Sequence, residues 1–310
     1  MKPKIIVIAG PTASGKSSIG IELAKKINGE IISADSMQIY KGLDIGTAKV
    51  SPKEADEIKH HLIDIIDIDK KFSVSEYKSM CYLKIDEILS KNKVPIIVGG
   101  TGLYINAVVN NMTFEEIDEA KESDAETKTE KLVLDKTVNE VYDILYNLDP
   151  KAALKIGKNY KRLVRAIKLN YLGVNKSDID NRQDLWKRNE SNYDFLTFVV
   201  DMPRDLLYDR INKRVDQMVQ LGILDEVKLV YKYKNDKVTA TQAIGYKEFF
   251  PYLENSKTLD ECIMDLKQKT RNYAKRQITW FKKLDEKRII DGKLPHEKVV
   301  SYILKEYYET

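Results

Sequence analysis

The first residues that could carry out chemistry form a glycine-rich run, Gly10-Pro11-Thr12-Ala13-Ser14-Gly15-Lys16-Ser17. The run fits the pattern G-x-x-x-x-G-K-[ST], whose backbone N–H groups turn toward a polyphosphate at the positive N-terminus of the following helix. Lys16 would neutralise phosphate oxygens, and the Ser17 hydroxyl could hold Mg²⁺. The motif predicts a phosphate site but no particular reaction. The less favoured alternative is a glycine-rich turn with an incidental lysine.

A second group of reactive side chains follows the next apolar run. Ile31 to Ala34 leads into Asp35-Ser36-Met37-Gln38, and ligands of open α/β sheets bind at the carboxyl ends of the strands. A carboxylate there can orient Mg²⁺ or accept a proton from a nucleophile. Equally, Asp35 could cap the following segment. The Gln38 amide both donates and accepts hydrogen bonds, which suits the edge of an adenine.

A Walker B strand, an apolar run that ends in a catalytic Asp, is not evident in the sequence. Ile96 to Val98 leads into Gly99-Gly100-Thr101, and Leu62 to Asp67 alternates apolar and acidic residues as an exposed strand does. This pattern disfavours a motor or switch NTPase.

The elements that must position these groups alternate between strands and helices. Apolar runs predict strands at Ile5–Ala9, Glu30–Ala34 and Pro95–Val98, with a helix over Ser17–Lys26 and another that begins at Ser73 with a capping box. The predicted fold class is α/β, with a P-loop NTPase-like core, a parallel sheet and a helical insertion domain.

The insertion is predicted from a change of composition after Phe114. Residues 115–130 are mostly polar and are expected to form a mobile excursion. Helical patterns follow at Val138–Leu148 and Lys158–Leu172, and Phe195–Val200 resumes the core as a strand. The C-terminal third is predicted to consist of helices that pack on the core. The predicted domains are 1–114 with 191–310 for the core and 115–190 for the insertion.

Two basic sets could grip nucleic acid, because phosphate neutralisation supplies much of the affinity of such complexes and aromatic stacking adds to it in single-stranded loops. A charged stripe of this kind is otherwise a solvated helix face. The first set is Lys158, Lys161, Arg162, Arg165 and Lys168, with Leu163, Ala166, Ile167 and Leu169 largely opposite. The second is Lys267, Arg271, Lys275, Arg276, Lys282 and Lys283, interleaved with Tyr273, Trp280 and Phe281.

Composition sets broad limits. The 310 residues are 43% hydrophobic and 32% charged with a net charge of +4, typical of a globular protein with two domains. The two cysteines are far apart and match no metal or redox spacing. No run approaches the roughly 18 apolar residues of a membrane span. We expect a cytoplasmic monomer without membrane contact.

Together the motifs resemble the tRNA dimethylallyltransferase (tRNA isopentenyltransferase) family. The similar segments occur in the family's order and span nearly the whole chain. They are Gly10–Lys16, Asp35–Tyr40, Gly42–Lys49, Gly99–Tyr104, Lys161–Ala166, Arg210–Met218, Ile244–Glu248 and Lys275–Phe281. One departure is the absence of arginine from 115–130, where the family usually has one that meets tRNA; Lys128 is the available substitute.

The resemblance implies a reaction that uses Mg²⁺. A dimethylallyl group would move from dimethylallyl diphosphate to N6 of the adenosine at position 37, next to the anticodon, in tRNAs that read codons starting with U. Diphosphate would be released. Asp35 would be the general base, Lys16 and Thr101 would also act in catalysis, and Arg210 or Arg214 would help residues 10–17 to bind the diphosphate. The implied tRNA contacts are Asp35, Ser36, Met37, Gln38, Thr101, Lys161, Arg162, Leu163, Arg165, Arg276 and Gln277.

Three alternatives remain open from the residues alone. A small-molecule P-loop kinase would use the same loop for ATP. A prenyl transferase for free AMP or ADP would not need two basic surfaces. A nucleotide-regulated RNA-binding module would function without Asp35.

Overall fold

The computed structural model describes residues 2–114, 119–182, 188–236 and 238–309. The chain divides into two compact units. Unit 1 is Met1–Asn111 with Arg188–Thr310, and unit 2 is Met112–Lys187. The insertion boundaries predicted from the sequence, 115 and 190, each lie three residues later in the chain than the limits of unit 2, 112 and 187.

A parallel sheet forms the centre of unit 1. Its strands are β1 (Lys4–Ala9), β2 (Gly29–Ser33), β3 (His60–His61), β4 (Val94–Gly99), β5 (Asp194–Asp201) and β6 (Lys287–Asp291). The order in the sheet is β3-β2-β4-β1-β5-β6, and every neighbouring pair is parallel. The central strand β1 is buried from Ile5 to Ala9, as expected for a strand covered on both faces. The predicted α/β class and four predicted strands are confirmed.

The two strands at the edges of the sheet were not predictable in the same way. β3 has only two residues, and β6 reads Lys-Arg-Ile-Ile-Asp with Ile290 as its one buried residue. An edge strand needs little apolar surface and tolerates charge, so neither carries a core-strand pattern. The prediction of helices alone in the C-terminal third is therefore wrong at β6.

Helices cover the sheet in the first part of unit 1. They are α1 (Lys16–Lys26), α2 (Pro52–Ala55), α3 (Val74–Ser90) and α4 (Gly102–Val109). The predicted capping box of α3 is confirmed: Glu76 N donates to Ser73 Oγ at 3.1 Å, and Ser73 N donates to Glu76 Oε2 at 2.6 Å.

Unit 2 is helical in its described residues. Its helices are α5 (Glu119–Val133), α6 (Val138–Leu148), α7 (Pro150–Ile156), α8 (Tyr160–Tyr171) and α9 (Lys176–Arg182). The prediction for Val138–Leu148 is confirmed, and α8 lies within the predicted Lys158–Leu172. Asp149 caps α7 by accepting from Ala152 N at 3.1 Å.

The expectation of a mobile excursion at 115–130 is wrong for 119–130, which belong to α5; residues 115–118 lie outside the described residues. Ala125 and Thr129 are four residues apart on one face and are buried. Lys168 of α8 contacts Glu122 at 2.8 Å and Glu126 at 3.2 Å. A narrow buried stripe with ion pairs beside it holds a helix that composition alone does not reveal.

Leu163 belongs to the core of unit 2. Its side chain is fully buried in α8 among Val141, Leu145, Ala153 and Ile167. A buried side chain is not available to RNA, so the predicted tRNA contact of Leu163 is corrected to a packing role.

The remainder of unit 1 is helical apart from β5 and β6. It comprises α10 (Arg204–Gln220), α11 (Ile223–Tyr231), 3₁₀ turns at Thr239–Gln242 and Lys247–Phe249, α12 (Phe250–Leu253), α13 (Leu259–Phe281) and α14 (His296–Glu309). A second apolar core gathers residues of α10, α11 and α13 around Tyr40 and Tyr246. Across the described ranges, every helix is too short or too polar to traverse a bilayer.

We predict that Leu163→Ala destabilises unit 2 by about 2–5 kcal/mol, because it leaves a cavity in a closed core. Leu154→Ala is the matched control, since that leucine is 68% exposed on α7. Urea unfolding followed by circular dichroism measures both. Equal midpoints for the two variants would contradict the assigned burial.

Candidate active site

The phosphate loop joins β1 to α1. Gly15 stands at the N-cap of α1 with φ 89°, in the left-handed region that glycine adopts without strain. It has no side chain that could accept from the first-turn N–H groups, so these stay available to an anion. The Ser14 hydroxyl oxygen is buried and has no hydrogen-bond partner among the described residues. Such an orphan in a phosphate loop fits a site built for a polar ligand.

Lys16 is the cation at the base of the loop. Its Nζ donates to Pro11 O at 3.2 Å. Burial, together with the nearby Arg214 guanidinium, lowers the pKa of Lys16 to about 8, although Asp35 opposes that shift. An anion bound beside Lys16 would therefore stabilise the charged form of this lysine.

Arg214 lines the same cavity as Lys16. Its Nη2 donates to Thr47 O at 3.4 Å, and burial lowers its pKa from the ordinary value. Arg210 lies one turn earlier on α10 and is not among the residues that line the cavity; its Nη1 is 3.9 Å from the position of a Cβ on Gly15. The geometry favours Arg214 over Arg210 as the guanidinium that faces a ligand.

Asp35 follows β2 and also lines the cavity. Its Oδ1 accepts from Met37 N at 2.9 Å, which turns the chain and fixes the carboxylate. The structure is therefore compatible with both roles considered for Asp35, that of a local cap and that of a reactive carboxylate. The carboxylate shapes the local turn, and the residue also lines the cavity.

Thr101 fastens the segment after Asp35 to the end of β4. Ser36 N donates to Thr101 Oγ1 at 3.0 Å, and the two hydroxyl oxygens are 3.3 Å apart. β2 and β4 are neighbours in the sheet, so residues distant in sequence meet at one edge. A catalytic role for Thr101 stays a prediction.

Gln38 and Gln277 both have their amides engaged within the chain. Gln38 accepts from Ser33 Oγ at 2.9 Å and donates to Thr47 O and Ala48 O at 3.3 Å. Gln277 accepts from Thr12 N at 2.9 Å and donates to Gly100 O at 2.9 Å. These bonds hold the walls of the cavity in place. Both residues also line that cavity, and their tRNA contacts stay a prediction.

The cavity has a volume of about 360 Å³ and combines cationic, acidic and apolar groups, which suits a ligand with a phosphate end and a hydrocarbon end. Lys247 and Arg276 add to the cations, and Ser17 and Met37 also face it. Its larger apolar side chains are Val98, Ile211, Val215, Met218, Ile244 and Leu266.

The sequence motifs assigned no role in the cavity to Tyr273 or to the apolar side chains of α10. Tyr273 faces the cavity from α13, with the Arg276 guanidinium 5.6 Å from its ring centre. Burial, with the Asp35 carboxylate nearby, raises the pKa of Tyr273 to about 12. Its place one turn before Gln277 on the same helix was the available signal.

The members of the two basic sets differ in their exposure. In unit 2, Lys158, Lys161, Arg162 and Arg165 are exposed, whereas Lys168 is paired with α5 as described above. Lys128, the substitute for the family's arginine, pairs with Asp124 at 2.6 Å.

In unit 1, Lys267 is paired with Asp216 at 2.6 Å, and Arg271 Nη1 donates to Asn212 Oδ1 at 2.7 Å. Phe281 is buried, and Trp280 donates to Asn106 Oδ1 at 3.3 Å. These two aromatics are packing residues, while Lys275, Arg276 and Lys282 remain exposed.

The described residues contain no group of three or more His, Cys, Asp or Glu side chains that could hold a metal. His61 is buried, and its Nε2 lies 2.7 Å from Glu30 Oε2.

Comparison with known proteins agrees with this site. The sequence model of a family described as IPP transferase matches residues 38–284. A tRNA dimethylallyltransferase of Acetivibrio thermocellus is 46% identical over 283 residues, 91% of this chain and 89% of the relative. The corresponding protein of Finegoldia magna is 45% identical over 93% of this chain and 90% of the relative.

Solved structures match over the same extent. A tRNA delta(2)-isopentenylpyrophosphate transferase from Staphylococcus epidermidis has 40% identity and a TM-score of 0.72 over 99% of both chains. A eukaryotic dimethylallyltransferase acting on tRNA has 31% identity and a TM-score of 0.76 over 94% of this chain and 74% of its own. The chain therefore belongs to the IPP transferase family of prenyl-transferring enzymes, as its motifs predicted.

Proposed function

We propose that this enzyme transfers a dimethylallyl group from dimethylallyl diphosphate to N6 of the adenine at position 37 of tRNAs that read codons starting with U. The observation that carries the proposal is the convergence of Lys16, Arg214 and Asp35 on one partly apolar cavity. The relatives named above are tRNA dimethylallyltransferases.

The site must stabilise the negative charge that develops on the leaving diphosphate. The bond between C1 of the prenyl group and the diphosphate oxygen breaks, and its electron pair stays on the diphosphate. Lys16, Arg214 and the N–H groups at the start of α1 stabilise that charge without having to reorganise. The apolar side chains Ile211, Val215 and Met218 line the same cavity and would bind the prenyl chain.

Asp35 handles the proton. The adenine N6 forms a bond to C1 and becomes acidic as it does so, and the Asp35 carboxylate then accepts one N6 proton. A free aspartate, with a reference pKa of about 3.9, could not deprotonate the neutral amine beforehand. Proton transfer during bond formation is worth roughly 10²–10⁴-fold in rate.

Mg²⁺ fits the oxygen donors at this edge of the sheet. Ser17 Oγ and the Asp35 carboxylate line the cavity beside Lys16, and a hard cation takes one or two protein oxygens and completes its shell with phosphate and water. Ser17 would hold the ion. When bound, it would neutralise part of the diphosphate charge.

Binding of the RNA carries a free-energy cost, because the target adenine must leave its stack with the neighbouring bases. That cost is a few kcal/mol in a duplex and smaller in a loop, which suits an anticodon loop. The exposed cations of α8, Lys161, Arg162 and Arg165, would bind phosphates of the anticodon stem-loop.

Incubation of the enzyme with unmodified tRNA and labelled dimethylallyl diphosphate, with and without Mg²⁺, tests the proposal. We expect label in the RNA that depends on Mg²⁺. Within this assay, Asp35→Asn should lower kcat by roughly 10²–10⁴-fold, since the amide keeps the acceptor for Met37 N but takes up no proton. Asp69→Asn, at an exposed site, is the control. Full activity of Asp35→Asn would refute the assigned base, and absence of label with the wild type would refute the function.

Arg165→Ala and Lys161→Ala should each raise the tRNA Kd and the KM for tRNA while leaving kcat little changed. The expected effect is about threefold to tenfold at low salt, and it should shrink as salt is added. Filter binding and steady-state kinetics measure the two quantities, with Lys305→Ala of α14 as the control. A change confined to kcat would contradict the proposed division of roles.

Donor binding should weaken as pH rises through about 8, because free Lys16 loses its proton with a pKa of about 8. Below that pH the ammonium is present and binds the diphosphate. Calorimetric titration with inorganic diphosphate between pH 7 and 9 measures the effect. Lys16→Ala is the control, because its pH dependence reports the titration of diphosphate itself. Identical pH profiles for the two proteins would contradict the prediction.

A further inference from the structure

Glu226 of α11 binds a backbone segment that forms one wall of the cavity. Its Oε1 accepts from Asp44 N at 2.9 Å and from Ile45 N at 2.7 Å, and its Oε2 accepts from Gly46 N at 3.0 Å. Three successive N–H groups that converge in this way form a concave anion site. Here the anion is a side chain of the same protein.

A fourth donor completes the shell of this carboxylate. The hydroxyl of Tyr246 donates to Glu226 Oε2 at 3.0 Å. Burial, with Glu226 nearby, raises the pKa of Tyr246, so the phenol stays protonated and able to donate. The Tyr246 ring packs directly on Gly46, where an added Cβ would lie 2.6 Å from the phenol oxygen.

The segment held by Glu226 leads straight into the active site. Gly46, Thr47 and Ala48 line the cavity. Thr47 O accepts from Arg214 Nη2 at 3.4 Å and from Gln38 Nε2 at 3.3 Å. The Gly46 N–H that binds Glu226 and the Thr47 carbonyl that binds Arg214 therefore belong to adjacent residues.

We propose that Glu226 is a positioning residue for the reaction: its carboxylate fixes residues 44–47 so that the Thr47 carbonyl aims the Arg214 guanidinium at the leaving diphosphate. The inference rests on the proposed function in taking Arg214 as a ligand of that diphosphate. Glu226 belongs neither to the Gly42–Lys49 motif nor to the Arg210–Met218 motif, and it reaches the first of these from α11.

The charge and the shape of the carboxylate are both required. Two oxygens accept four hydrogen bonds, and all four donors are neutral. Glutamine would retain one accepting oxygen and place an NH₂ group against N–H or O–H donors. Glu226→Gln thus changes the hydrogen bonding at nearly constant volume.

The test is a double-mutant cycle between Glu226→Gln and Arg214→Lys. We expect Glu226→Gln alone to lower kcat by about tenfold to a hundredfold, the loss expected when hydrogen bonds to a charged group are disturbed, with the KM for tRNA unchanged. In the Arg214→Lys background the same substitution should cost less than about threefold, because coupled residues are not additive. Asp225→Asn, the exposed neighbour on α11, is the control.

Calorimetry with inorganic diphosphate supplies a readout that needs no tRNA. Glu226→Gln should weaken diphosphate binding, and circular dichroism should show a folded protein. If that variant unfolds, Tyr246→Phe replaces it in the same cycle, because it removes one donor from the same carboxylate. Unchanged kcat and diphosphate affinity, or equal losses in both Arg214 backgrounds, would overturn the inference. Failure of the wild type to label tRNA would count against the proposed function instead.

Discussion

Positive charge that is not cancelled by acidic partners is the constraint on which the site depends. Lys16 and Arg214 approach one cavity from different segments, and both have lowered pKa values because burial disfavours their charged forms. Each donates a hydrogen bond to a neutral carbonyl, that of Pro11 or Thr47. Asp35 offsets part of the repulsion between the two cations, and the diphosphate of the proposed donor would relieve the rest.

The sheet order explains how so few residues assemble such a site. In the order β2-β4-β1, three parallel strands end side by side and deliver Asp35, the Gly99-Gly100-Thr101 turn and the phosphate loop to one edge. Gln277 of α13 then joins two of these turns through Thr12 N and Gly100 O. These two hydrogen bonds oppose small shifts of the phosphate loop and of the Gly99-Gly100-Thr101 turn relative to each other.

The sequence predicted the parts of the site that have a local pattern. The phosphate loop, the buried strands and Asp35 each depend on neighbouring residues and periodicity, so they were accessible without a structure. Lys16, Asp35 and Arg214 come together as the motifs implied. Leu163 was misjudged because it lies in a basic motif, whereas its side chain packs in the core of unit 2. The bonds of Gln277 to Thr12 N and Gly100 O could not be predicted, because these partners lie far along the chain. The charged helix α5 was missed because its buried stripe is narrow and includes a threonine: Ala125, Thr129 and Val133.

The contrast between paired and unpaired cations clarifies which basic residues can bind substrate. Lys49 contacts both Asp44 at 2.7 Å and Asp64 at 2.5 Å, and Lys267 contacts Asp216. The charges of these two lysines are therefore largely neutralised by ion pairs within the protein. Glu226 brings a carboxylate close to the cavity wall, yet it binds only neutral donors and leaves Arg214 its carbonyl partner. A carboxylate bonded directly to Arg214 would fix the guanidinium equally well but would compete with the diphosphate for it. Positioning through an intervening peptide segment gives order without that competition, and this is why the backbone of residues 44–47, and not an acidic side chain, meets the arginine.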